Sequence, residues 1–135
     1  MRKIIGLLIT ILLICTGVIL IVFSSDETKV EQVVNDNVMA LNKKDHSKYV
    51  RTLSKQIQEN TDSKGAAALF VNGGKGEFRI IKMLSEKIDD LNWIVKTKQE
   101  LKGKDNFKKE VELEYHVKKE GGNWKIIWYE ITSTD

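Results

Sequence analysis

Residues 107–132 read FKKEVELEYHVKKEGGNWKIIWYEIT, and this stretch decides the fold. Val111, Leu113, Tyr115 and Val117 alternate with Glu112, Glu114, His116 and Lys118, the period of a strand with one buried face. Gly121-Gly122 makes a tight turn into a second strand, Trp124 to Thr132. A two-residue turn pairs Val117 with Ile126 and Tyr115 with Trp128, all on one face. The opposite face of the last strand then carries Ile127, Tyr129 and Ile131. Large apolar groups on both faces of one strand imply that both are at least partly covered.

Working toward the N-terminus, Trp93 to Leu101 reads as another strand. A three-residue loop, Gly103-Lys104-Asp105, pairs Phe107 with Leu101, Leu113 with Val95 and Tyr115 with Trp93. A four-residue loop would set Lys96 and Lys98 against the apolar face, so the pattern selects an odd loop. The inner wall comprises Trp93, Val95, Leu113, Tyr115, Val117, Trp124, Ile126 and Trp128. Phe78 to Ile88 is a fourth strand whose alternation slips near Ile80-Ile81, as a bulge would cause.

The texture before residue 77 is helical. Thr28-Lys29-Val30-Glu31 has the form of a capping box, and Val30, Val33, Val34, Val38 and Leu41 recur along one face. That predicts a helix over about 28–43. Asp45 can cap a second helix that buries Tyr49, Val50, Leu53 and Ile57. Thr61 to Gly65 reads as a turn, and Ala66 to Val71 as a short third helix ended by Asn72-Gly73-Gly74. Two to three helices followed by an antiparallel meander of about four strands is an α+β architecture.

Ile4 to Phe23 is one uncharged apolar run, long enough as a helix (about 30 Å) to cross a bilayer's hydrocarbon core. Arg2 and Lys3 precede it and Asp26 and Glu27 follow, which places the N-terminus in the cytoplasm. The expected organisation is therefore a membrane anchor over 1–25 and an extracytoplasmic domain over 26–135. One alternative is secretion after signal cleavage near Ser24, although the run exceeds the usual signal-peptide core. Another is lipidation at Cys15, where bulky Ile14 stands in place of a small residue.

The 135 residues carry 22 Lys and Arg against 19 Asp and Glu. So even a mixture argues against nucleic acid as the partner. The single cysteine, Cys15, lies in the apolar run, which leaves the outer domain without a disulfide or a thiolate metal site. Glu112, Glu114 and His116 look like an acid–base or metal cluster, but period two puts them on the outward face. His46 stands at the start of a helix, beside the Asp45 cap. Asn72-Gly73-Gly74-Lys75-Gly76 fails as a phosphate loop, because Gly76 replaces the Ser or Thr and Leu69 the first Gly. No catalytic, cofactor or metal residues are assigned.

The order of Thr28 to Leu41, the Tyr49-to-Leu53 helix and the closing Trp124-Lys125-Ile126-Ile127 strand resembles the nuclear-transport-factor-2-like superfamily, over roughly residues 28–133. The resemblance implies a curved sheet wrapped around helices as a cone, with Trp93, Tyr115, Trp124 and Trp128 lining it. It is also similar to small anchored envelope proteins and to components of type IV secretion and conjugation systems. Enzymes of this superfamily place an acid or base inside the cone. Here the inward set offers Tyr115 and three indoles, unless Asp62, Glu77, Asp89 or Asp90 stands at the mouth. The expectation is a non-enzymatic, membrane-anchored domain that binds an envelope protein or a second copy through Ile127, Tyr129 and Ile131. A small apolar ligand in the cone, isomerase-like chemistry and a secretion role remain as alternatives.

Overall fold

The structure, a computed structural model, describes residues 25–60, 76–103 and 108–134. The apolar run 4–23, the short helix expected over 66–71, Asp62, the glycine-rich loop 72–75 and Phe107 lie outside them. Among the described residues no helix is long and apolar enough to cross a membrane.

Three helices, α1 (Asp26–Asn42), α2 (His46–Thr52) and α3 (Lys55–Asn60), precede four strands, β1 (Glu77–Lys87), β2 (Asn92–Lys102), β3 (Lys108–Glu120) and β4 (Asn123–Thr134). The strands form one curved antiparallel sheet in the order β1-β2-β3-β4. The helix α1 packs across its concave face, touching β1, β2, β4 and α2. Val30 and Val34, both fully buried, meet Val95, Tyr115, Val117, Trp124 and Ile126 there, with Tyr49 and Leu53 from the helical side. Burying each such aliphatic side chain contributes about 1.5–3 kcal/mol.

The helix boundaries follow local hydrogen bonding. Ser25, one turn earlier than expected, caps α1 by accepting from the Thr28 N–H at 3.2 Å. Thr28 is inside the helix, and Glu31 reaches away from the cap to accept from the Ser85 hydroxyl at 2.6 Å. The expected capping box is thus replaced by a Ser25 cap and a helix-to-β1 tie. Asp45 does cap α2, accepting from the Lys48 N–H at 3.0 Å. That helix does not run on to Ile57. Leu53 is extended and forms a parallel bridge with Ile126, and the Ser54 N–H donates to the Ile126 carbonyl at 2.9 Å. Bonding to the sheet outcompetes continuation of the helix here. Asn42 closes the other end of α1: its side-chain amide donates to the Phe78 carbonyl (2.6 Å) and accepts from the Phe78 N–H (2.8 Å), standing in for a strand partner.

The sheet keeps the expected faces in β2 and β3 but not the expected pairs. Val95 lies opposite Tyr115 and Trp93 opposite Val117, two residues from the expected register. Lys102 pairs with Lys108, so the connection is five residues rather than three; both are odd, and the parity survives. In β1 the register shifts between Ile80 and Lys82, where the alternation slips in the sequence.

The β3–β4 turn is the two-residue one expected, with Gly121 and Gly122 at φ +56° and +83°. Both lie in the left-handed region that favours glycine. Val117 faces Ile126 as expected. The next pair is His116 with Trp128, leaving Ile127 as an extra, bulged residue, and Tyr115 faces Tyr129. A bulge inverts the faces of everything after it. Trp128 therefore points away from the helices and is 49% exposed, while Tyr129 packs against the core. Continuing in that register Ile131 lies opposite Leu113, 61% exposed toward the far end of the strand, and a second irregularity beyond it, between Glu112 and Leu113, leaves Thr132 as an extra residue.

Candidate functional site

The concave face is more polar than its aliphatic residues suggest. Continuing the β2 alternation from Trp93 and Val95 brings in Thr97 and Gln99, both buried. The Gln99 side-chain N–H group donates to the Thr97 hydroxyl and to the Tyr115 hydroxyl, each at 2.9 Å. On the helical side Asn37 Nδ2 donates to the Thr52 hydroxyl at 2.8 Å, and that hydroxyl donates to the Tyr49 carbonyl at 2.6 Å. Tyr129 joins the two groups, its ring 5.8 Å from that of Tyr115 and its hydroxyl bonded to that of Tyr49. Burial pushes the Tyr115 phenol up to about 12. Burial, reinforced by Tyr129, likewise raises Tyr49. Both phenols stay neutral at ordinary pH, as hydrogen-bonding groups rather than bases. Thr97 and Gln99 are hidden from an apolar pattern by their polarity, and the signal that marks them is strict alternation from Trp93 to Leu101.

The aromatic residues expected to line the cone have different fates. Tyr115 is central. Trp124 is buried in the core, and its indole N–H donates to Asp26 at 3.4 Å. Trp93 packs at the edge of the core, and its buried indole N–H has no partner among the described residues. Trp128 does not line the cone at all, because the Ile127 bulge turns it to the other face.

The expected outward stripe of Ile127, Tyr129 and Ile131 is likewise divided. Ile127 is half-buried in the bulge, Tyr129 faces inward and Ile131 is exposed at the strand end. The outer face instead presents Trp128 beside His116, ring centroids 4.8 Å apart and tilted at 50°. Ile94 is next in that row, and Leu84, 59% exposed, stands one row away. Around them charges are paired across strands: Lys96 with Glu86 and Glu114, and Lys98 with Glu110. His116 Nε2 lies 3.0 Å from Glu114 Oε1 but off the hydrogen-bonding direction, so that contact is an ion pair only when the imidazole is protonated. The cluster of Glu112, Glu114 and His116 is on the outer face, as its period required. Among the described residues no group of His, Cys, Asp and Glu could hold a metal ion.

Of the candidate acids for a cone mouth, Asp89 and Asp90 serve the β1–β2 turn. Asp89 accepts from the Leu91 N–H and the Asn92 side chain, which lowers its pKa, chiefly through Asn92. Asp90 pairs with Lys87 at 2.7 Å. Glu77 is exposed at the start of β1, and His46 is exposed on the first turn of α2.

A meander of four strands carrying one long helix across its concave face defines the class: a cystatin-like, nuclear-transport-factor-2-like domain. A protein of unknown function with a cystatin-like fold from Nostoc punctiforme superposes with a TM-score of 0.69 at 14% identity, covering 82% of this chain and 91% of that one. An NTF-2 like protein of unknown function from Shewanella oneidensis gives 0.66 at 16% identity, covering 79% and 98%. A hexachlorocyclohexane dehydrochlorinase gives 0.58 at 11% identity, covering 82% and 87%, so the fold also accommodates an enzyme. At these identities the likeness is one of fold. No curated protein matches the chain. Residues 32–135 match the family described as the C-terminal domain of the anti-sigma-I factor RsgI9, and the chain belongs to that family.

Proposed function

We propose that this chain is a single-pass membrane protein of the cell envelope whose outer domain binds another protein, or a second copy, without catalysing a reaction. Residues 1–25 anchor it with the N-terminus in the cytoplasm, and residues 26–135 stand outside. Support for the anchor comes from the uncharged run Ile4 to Phe23 behind Arg2 and Lys3. The family name connects this type of domain with an anti-sigma-I factor, which suits a signal-receiving part of a regulatory protein.

The observation that carries the binding reading is Trp128. A half-exposed indole with Ile94 and Leu84 nearby, inside a rim of paired charges, has the composition of a protein contact: an aromatic anchor with a polar surround. The concave face supports the non-enzymatic reading, since Thr97, Gln99 and Tyr115 bond to one another and the Tyr115 phenol is held neutral.

Protease shaving of intact cells, followed by crosslinking in membranes, tests the proposal. Shaving should remove the domain and leave the first twenty-odd residues in the membrane fraction. Protein lacking residues 1–24 and free in the medium would establish secretion instead. Crosslinked species should weaken on Trp128→Ala; crosslinks indifferent to that change would remove the outer face from the contact.

A further inference from the structure

A groove of about 790 Å³ runs between α1, α2, the β3–β4 turn and the start of β4. Its lining holds five cationic side chains, Lys29, Lys43, Lys48, Arg51 and Lys125, against one carboxylate, Asp36. Lys48 is already paired at 3.4 Å with Asp45, which stands just outside the lining, so the formal excess is three positive charges. On the outer sheet face, by contrast, the lysines Lys96 and Lys98 are paired with glutamates across strands. The Asp36 carboxylate already accepts from Gln32 at 2.6 Å. Lys125 donates to the Arg51 carbonyl and ties β4 to the end of α2, which fixes one wall.

The lining is not purely ionic. Val33, Met39, Ala40 and Trp124 also contribute to it, and Met39 is 42% exposed. A bare polyanion would leave that apolar surface unused. Lys29, in the first turn of α1, and Lys43, its C-cap residue, are fourteen residues apart, about 21 Å at helical rise. That length accommodates about six residues of extended chain at ~3.3 Å each. Cationic walls, an apolar floor and this span fit one class of ligand.

We propose that the groove binds an extended acidic peptide segment of a partner protein, its carboxylates on the Lys29, Lys43 and Arg51 side chains and its apolar residues against Val33 and Met39. The site is separate from the outer sheet face, and its occupancy does not depend on the Trp128 contact.

Full-length protein in detergent micelles, titrated against a fluorescein-labelled six-residue peptide of alternating Asp and Leu, tests this by anisotropy. Saturable binding is expected, weakened at least tenfold by the double substitution Lys29→Glu and Lys43→Glu. Replacing each Asp of the peptide by Asn should weaken it at least tenfold as well. Lys82→Glu, on the opposite side of the molecule, should change affinity less than twofold, and Trp128→Ala should leave it unchanged. Circular dichroism of each variant confirms the fold. Absence of saturable binding, or equal loss from Lys82→Glu, would overturn the proposal. So would inorganic polyphosphate that binds as tightly as the peptide and is indifferent to Met39→Ser, because the ligand would then be a bare polyanion.

Discussion

Trp128 lies across the sheet from His116, their ring centroids 4.8 Å apart, on the face turned away from the helices. One extra residue, Ile127, puts it there. Without that bulge Trp128 would stand opposite Tyr115 in the core, and Tyr129 would stand outside. The neighbours on β4 therefore have opposite responses to substitution. Trp128→Ala should cost about 1 kcal/mol or less of stability, the range of surface changes, while weakening association in crosslinking. A thermal melt of the variant checks the first part.

Tyr129→Glu should behave as a core substitution. The carboxylate would enter the cluster of Tyr49 and Tyr115, where it must protonate, draw in water or displace the strand. A loss of roughly 3 kcal/mol or more is expected, visible as a lowered urea midpoint. A Tyr129→Glu variant that melts with the parent would place the bulge elsewhere.

The Gln99 side chain bonds both Thr97 and Tyr115. Gln99→Ala removes both bonds and leaves a void among buried groups, an expected loss of about 2–4 kcal/mol. Tyr115→Phe removes only one of the two and should cost about 0.5–1.5 kcal/mol. Urea denaturation of the two variants should rank them in that order.

Asn42→Ala should expose a dependence of β1 on α1. It strips both the N–H and the carbonyl of Phe78 of their partners, an expected loss of about 1–3 kcal/mol. Amide exchange at Phe78 should accelerate more than exchange at Val95 in the sheet centre.

The tyrosines predict an alkaline limit. The Tyr115 phenol ionises near 10.0 when unfolded but at about 12 in the fold, because burial disfavours its anion. Above pH 10 the unfolded chain loses the proton first, so stability is full below pH 10 and falls as pH rises toward 12. Tyr49, shifted in the same direction, adds to the loss. Tyr115→Phe should flatten that decline in melts run from pH 9 to 12.

The element order, the sheet's antiparallel sense and the parity of both β2–β3 and β3–β4 connections were legible because strand periodicity is a property of neighbouring residues. Val111, Leu113, Tyr115 and Val117 mark their face without reference to any other element. The two glycines fix a two-residue turn, and the slip at Ile80-Ile81 marks a bulge because apolar residues fall on consecutive positions there. Ile126-Ile127-Trp128-Tyr129 is apolar at every position, so no local pattern says which residue is the extra one.

The amino-acid sequence by itself determined the class of fold, the inward face of β3, the Asp45 cap and the apolar run before residue 24, all consequences of spacing over a few residues. Only the tertiary structure decided the faces of β4, the break between α2 and α3, and the grouping of Gln99 with Tyr115. Each of these rests on partners far apart in the chain. The Leu53–Ile126 bridge and the Ser54 bond to Ile126 stop a helix that local propensity would continue. The choice of Ile127 as the bulge lets Ile126 and Tyr129 both reach the core beneath α1, and that geometry exists only once helix and sheet have met.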